Sequence, residues 1–390
     1  MKKLISILLT IVTLLSALAV MPSAGAETSS SEKTTYIPKD LAYSNKYGTV
    51  YVDGKDLVAE SAKGEKVTLA KRTSKYSSFT FYMRGKKVIY YVSYLQELYS
   101  VGIDGKNKKE LGIDINEFLG GYGDDVIVYL QYKGIYKINS EGKKIKLFGL
   151  EKNVDDVYIF GGRVYVNYYV ENWKYSMLKK FTVYDLNTKK ISTVKMYDFV
   201  VGQNHMYYTN KKKNLIQVDK NGVKRAVARN VGRICAVNNG ATVVYSKPLI
   251  IGDKKYKTFY RKTKGLKTVK LGRAKDIRKK AKSILSNSKK YDMKGEEEYR
   301  IEKVTIGRNN AYFLVYFCYS ESNDWGSIIL PVNLNTGKIG EAVKVMDGDT
   351  DGYFENIRYE NGYIYCEVGI EDPKDLNYPW DRCYRRIKAS

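Results

Sequence analysis

The sequence predicts an all-β fold, a β-propeller of eight four-stranded blades, with seven or six blades as the alternatives. Three observations carry this. A strand–turn–strand unit recurs eight times, a second strand–turn unit follows seven of the copies, and helical periodicity is confined to one stretch. Aligned on Tyr51, Tyr90, Val128, Tyr165, Tyr207, Val244, Tyr312 and Tyr365, the copies stand mostly about 37 to 42 residues apart, the period of a propeller blade, with two longer intervals near the end.

The chain starts outside this pattern. Lys2-Lys3, the apolar run Leu4–Val20 and the small triplet Ala24-Gly25-Ala26 read as a secretory signal peptide over residues 1–26, cut after Ala26. The alternative is an uncleaved anchor, for which the apolar run is short. No Cys stands at the cleavage site, which excludes lipid attachment there. Residues 27–33, with Ser29-Ser30-Ser31, form a short tether, and the propeller is expected over 34–390.

Within it, the first units read AYSNKYGTVYV from Ala42, FYMRGKKVIYYV from Phe81, FLGGYGDDVIVYL from Phe118 and VYIFGGRVYVN from Val157. FVVGQNHMYYT from Phe199, ICAVNNGATVVY from Ile234, VTIGRNNAYFLVY from Val304 and IRYENGYIYCEV from Ile357 complete the eight. The second units turn at Lys63-Gly64, Asp104-Gly105, Glu141-Gly142, Asn187-Thr188, Asn221-Gly222, Lys264-Gly265 and Thr336-Gly337. Asp104-Gly105 is expected to be a tight hairpin with both residues at positive φ. The eighth unit stops one strand short, so Thr34–Ile37 is expected to supply its outer strand and close the ring. Ala274–Asn287 places Ile277, Ala281, Ile284 and Leu285 at helical spacing, a partly helical, charged insertion over about 273–300. It would either pack against the ring or meet a polyanion or membrane surface.

The formal net charge is +25 and stays strongly positive without Lys2 and Lys3, which favours polyanionic partners. Lysines crowd the second set of turns, so one rim should be basic. Trp173, Trp325 and Trp380 fall in loops after the second strands, on the opposite face, where an aromatic ring suits sugar or peptide stacking; capping of their own loops is the alternative. Asp347, Asp349, Asp351, Tyr353 and Glu355 follow the spacing of a Ca²⁺ loop, since alternate residues of a tight turn converge their oxygens on one point. This stretch resembles the calcium loops of propellers of the integrin α-chain type, with Glu in place of the final Asp. A solvated acidic loop is the alternative. Cys366 and Cys383 flank the last hairpin and offer a disulfide, whereas Cys235 and Cys318 read as small buried residues. His205 is the one histidine, and no catalytic motif accompanies it.

The stretches LYSVGIDGKNKKEL and LIQVDKNGVKRAV, set in Tyr-rich hairpins, resemble a bacterial domain-of-unknown-function family of exported Gram-positive proteins. That family is related to the low-density-lipoprotein-receptor-type (YWTD) β-propeller. The resemblance covers nearly all of Tyr36–Ser390 and implies the fold, with no shared catalytic motif. The Tyr-Trp-Thr-Asp tetrapeptide is missing; Tyr207-Tyr208-Thr209-Asn210 is its nearest echo, and receptor-type rings have six blades.

The expectation is a secreted or cell-wall-associated, non-enzymatic, monomeric binding module. Its ligand is an anionic wall polymer, a glycan or a protein, without specific nucleic-acid recognition and with only peripheral membrane contact. A polysaccharide lyase or glycosidase using paired carboxylates is the alternative.

Overall fold

The computed structural model describes residues 35–36, 38–150, 154–168, 179–238, 242–251, 254–287, 297–319, 325–347, 353–371 and 380–389. Residues 1–34, with the expected signal peptide and the whole of the tether, lie outside them. Strand β1 (Thr35–Tyr36) precedes the first blade, which holds β2 (Ala42–Asn45), β3 (Gly48–Asp53), β4 (Asp56–Ser61) and β5 (Lys66–Lys71). Blade 2 holds β6 (Phe79–Arg84), β7 (Lys87–Val92), β8 (Glu97–Gly102) and β9 (Lys109–Gly112). Blade 3 holds β10 (Glu117–Tyr122), β11 (Asp125–Leu130), β12 (Gly134–Ile138) and β13 (Lys144–Phe148). Blade 4 holds β14 (Val154–Phe160), β15 (Arg163–Tyr168), β16 (Lys179–Asp185) and β17 (Ile191–Met196). Blade 5 holds β18 (Phe199–Val201), β19 (His205–Thr209), β20 (Leu215–Asp219) and β21 (Lys224–Ala228). Blade 6 holds β22 (Arg233–Val237), β23 (Thr242–Ile251), β24 (Lys254–Thr263) and β25 (Val269–Arg273), followed by helix α1 (Ala274–Ser286). Blade 7 holds β26 (Glu297–Ile306), β27 (Asn310–Tyr319), β28 (Trp325–Asn333) and β29 (Lys344–Asp347). Blade 8 holds β30 (Tyr353–Glu360), β31 (Tyr363–Glu371) and β32 (Trp380–Lys388).

Each blade is an antiparallel sheet in chain order, and together they form an eight-bladed β-propeller. The second strands are covered on both faces by neighbouring blades. They therefore read as near-continuous apolar runs: in β7 every residue after Lys87 is buried, and in β27 Phe313, Leu314 and Val315 are fully so. Outer strands such as β13 and β21 face water, carry two basic residues each and are largely exposed.

Two expectations about turns and closure are corrected. Between β8 and β9 the connection is wider than a two-residue hairpin. Gly105 (φ +77°) takes the left-handed position and donates its N–H to the Gly102 carbonyl at 2.9 Å, while Asp104 keeps an ordinary φ. The Asp104 carboxylate instead accepts the Lys106 N–H at 3.1 Å, so a side-chain cap replaces the second positive φ.

The N-terminal strand does not complete blade 8, which has three strands among the described residues. β1 pairs with the inner strand of blade 3, Thr35 opposite Tyr122 and Tyr36 opposite Gly121. Lys39 then exchanges two backbone hydrogen bonds with Phe81 of blade 2, both 2.8 Å, before the Leu41 carbonyl accepts from Val52 in blade 1 at 3.3 Å. The segment thus threads the centre of the ring. An inner-strand edge facing a central channel has backbone groups that need partners, whereas the outer edge of β32 can be solvated.

Closure between blades 8 and 1 falls to side chains and one backbone bridge. Gly54 and Tyr384 exchange hydrogen bonds of 2.9 and 3.2 Å. Arg386 Nη1 donates to Glu60 Oε2 at 2.7 Å and lies over the Tyr51 and Tyr363 rings at 4.8 and 4.7 Å. Arg386→Ala is expected to cost about 1.5–3 kcal/mol, because it strips a charged hydrogen bond from the half-buried Glu60 and removes the stacking. Chemical denaturation checks this; a variant as stable as the parent would show that closure does not rest on Arg386.

Helix α1 packs against blades 6 and 7. Ile277 and Ala281 share a core with Phe259, Phe313 and Val315, and Leu285 meets Phe317 and Tyr319. Its start is held by a two-pronged contact, Arg273 Nε and Nη2 donating to the Asp276 carboxylate at 2.8 and 3.0 Å. No helix among the described residues is long and apolar enough to cross a membrane.

Candidate functional site

The residues singled out from sequence for recognition are only partly described. Trp173, Asp349 and Asp351 lie outside the described residues; for Asp347 and Trp380 only the backbone is described, at the end of β29 and the start of β32. Trp325 opens the third strand of blade 7 rather than sitting in a free loop. Its half-buried ring lies 5.1 Å from Tyr353 and 6.4 Å from Tyr316, so it is held in an aromatic group. That contact joins the start of β28 in blade 7 to the start of β30 in blade 8. Glu355 is already engaged: Arg382 Nε stands 3.2 Å from Oε2 and the Tyr353 hydroxyl donates to Oε1 at 3.1 Å.

The expected Cys366–Cys383 bridge is not formed; all four cysteines are free thiols. The register explains why. Cys366 stands opposite Arg385 and Cys383 opposite Val368, so the pair is diagonal across the ladder. Diagonal neighbours are about 7–8 Å apart, beyond the usual Cα separation of a disulfide.

The structure brings together a different set of groups. A cavity of about 520 Å³ occupies the channel, between the threading segment Pro38–Leu41 and the inner strands of blades 5 to 8. Its lining takes in the ends of β18, β22, β26 and β30 and the turns after them, including Gln203, Asn238, Arg308 and Asn361. It is therefore weighted to the face that carries the first-to-second and third-to-fourth strand turns. The charged lining residues are four cations, Lys39, Lys303, Arg308 and Arg358, and two carboxylates, Asp40 and Glu360.

Lys39 is the buried member, 8 % exposed, with its Nζ 3.5 Å from Glu360 Oε2 and 5.0 Å from the centre of the Tyr43 ring. Burial, and then the Arg358 charge, push its amine down from the ordinary 10.5 to about 7, against the opposing pull of Glu360. Glu360 serves a second cation as well, Arg358 Nε at 3.8 Å. That separation is too long for a hydrogen bond, and the buried Arg358 Nε–H has no hydrogen-bond acceptor among the described residues.

Around the mouth on the same face runs a repeated turn. Ser61, Asn139 and Asp219 each cap the turn after the third strand by accepting two backbone N–H groups. Asp185 and Asn333 do so in blades 4 and 7. The capping side chain fixes the loop and leaves its remaining residues in water. Counted to the first residue of the following strand, all seven such turns present exposed lysine: Lys63, Lys106, Lys143, Lys189, Lys224, Lys264 and Lys338 are examples, one from each. Lysines also occur on the other face, as at Lys55, Lys133, Lys211 and Lys212.

Sequence reasoning found the basic turns and missed the cavity. Arg358 carried a usable signal, an arginine inside an inner strand where other blades place apolar or small residues. Lys39 carried none, because its burial follows from a segment threading the channel.

No family model matches this chain, so the family resemblance drawn above is not shown, and no curated protein matches it in sequence. Solved structures with a similar course include an acylaminoacyl peptidase from Pyrococcus horikoshii, with 9 % identity and a TM-score of 0.44, covering 92 % of this chain and 52 % of that one. The chain thus spans about half the length of that peptidase. The β-propeller domain of the Trilobed protease from Pyrococcus furiosus is 8 % identical, with a TM-score of 0.43 and coverage of 92 % and 96 %. BamB from Moraxella catarrhalis is 10 % identical, with a TM-score of 0.34 and coverage of 75 % and 83 %. The eight-bladed ring described above rests on this chain's own strand pairing.

Proposed function

We propose that this chain is an exported, non-enzymatic propeller that binds an extracellular anionic polymer, a wall polymer or acidic glycan, on the face bearing the channel mouth. The observation that carries this reading is the recurrence of exposed lysine in all seven outer turns around a mouth whose own lining has more cations than carboxylates. A ring of like charges at blade spacing is poorly neutralised from within and attracts a chain with regularly spaced anions. The two lining carboxylates are poor candidates for a glycosidase pair: Glu360 is tied to Lys39 and Arg358, and Asp40 is exposed. The calcium loop around Asp347 stays a separate proposal, tested by melting temperature with and without millimolar Ca²⁺.

The experiment is retention of the purified chain on immobilised polygalacturonate as salt is raised. Binding is expected to weaken steeply between low and physiological ionic strength, as screening shortens the reach of each lysine. Retention indifferent to salt would overturn the electrostatic reading, and cleavage of the polymer would overturn the non-enzymatic one.

A further inference from the structure

The channel mouth is more than a gap in a basic surface. Three features converge there: a cavity of about 520 Å³, within the size range of small-molecule sites, a buried lysine, and a partly exposed arginine, Arg358, in the lining. Glu360 is shared between Lys39 and Arg358, at 3.5 and 3.8 Å, and the four cations of the lining outnumber its two carboxylates. Excess positive charge in that position favours an incoming anion, and the Arg358 guanidinium, its side chain 30 % exposed, lines the cavity to meet one. The uncharged polar lining includes amides and a hydroxyl: Gln203, Asn238, Thr305, Asn356 and Asn361. Amides both donate and accept, which is what a ring of hydroxyl groups requires of its site.

We propose that the channel mouth binds one anionic, polyhydroxylated unit, a sugar acid or a polyol phosphate, with Arg358 and Lys39 taking the anionic group and the amides taking hydroxyls. The proposal rests on the reading above and names the unit of the polymer that the lysine turns would hold more loosely. The threading segment is what makes this a site. Without Pro38–Leu41, Lys39 would be absent from the channel.

The test is calorimetric titration of the full chain with glucuronate, glycerol 3-phosphate and glucose, beside retention on polygalacturonate. At least one of the two anions is expected to bind ten times or more tightly than glucose, and which one does so identifies carboxylate or phosphate as the anionic group. Arg358→Gln should weaken that binding at least tenfold and Asn356→Ala several-fold, while Lys133→Gln on the opposite face changes nothing. Both variants lie on β30, so their circular dichroism and melting should match the parent. Glucose binding as well as both anions, or Arg358→Gln and Asn356→Ala binding like the parent, overturns the proposal. No titration by any of the three with polymer retention intact overturns the channel site alone. Arg358-dependent binding of a small anion without polymer retention supports the channel site and defeats the polymer reading.

Discussion

Phe313→Ala is expected to lower stability by about 3–5 kcal/mol, among the largest effects of any single substitution in this chain. Phe313 is fully buried in the second strand of blade 7, and its ring meets Phe259 of blade 6 edge to face, 5.0 Å between centroids. Ile277 and Ala281 of the helix share the same core. Truncation therefore removes a ring, opens a cavity where three elements meet, and breaks an aromatic pair that fixes one blade against the next. Blades packed through rigid strands cannot collapse to refill that space. Urea denaturation measures the loss. A cost below about 1 kcal/mol would mean that blades 6 and 7 do not share this core.

The second large effect is on the pH dependence of stability and centres on Lys39. Its amine is lowered to about 7 in the folded chain, whereas the unfolded chain holds the ordinary value of 10.5. Between these values the unfolded chain binds a proton that the folded chain has released, so stability rises with pH over that window. The contribution is fully present above about 10.5 and is lost as pH falls through 7. The charges around the amine are Arg358 and Glu360 of blade 8 and the adjacent Asp40, with Lys303 and Arg308 of blade 7 and Cys235 of blade 6 also lining the cavity. From pH 7 to 9 the unfolding free energy of the parent should gain up to about 2 kcal/mol relative to that of Lys39→Met. Parallel profiles for the two proteins would show that the amine is solvated and the segment does not lie in the channel.

The fold was legible because its signals are local and repeated. A buried second strand must be apolar throughout, and a turn after a third strand needs Gly or a capping Asp, Asn or Ser; both demands recur eight or seven times. Closure was not legible, because the unpaired edges of β10 and β32 compete for one short segment. Nothing in Thr34–Ile37 itself says that the inner edge wins. The cavity was hidden for the same reason, since Lys39 and Glu360 are 321 positions apart and meet only through that threading. The tryptophans misled in part: Trp325 looks like a loop aromatic by spacing, yet its neighbours Tyr316 and Tyr353 hold it in place.

The central claim is that the lysine-bearing face, and not merely net charge, holds an anionic polymer. It is tested most directly by comparing two triple charge reversals of equal size on opposite faces. Lys106, Lys143 and Lys189, each changed to Glu, alter three turns of the proposed face. Lys133, Lys211 and Lys212, changed likewise, alter the other. The dissociation constant for polygalacturonate at physiological salt is expected to rise tenfold or more for the first variant and less than threefold for the second. Equal losses in both would contradict the account and reduce the binding to non-specific charge.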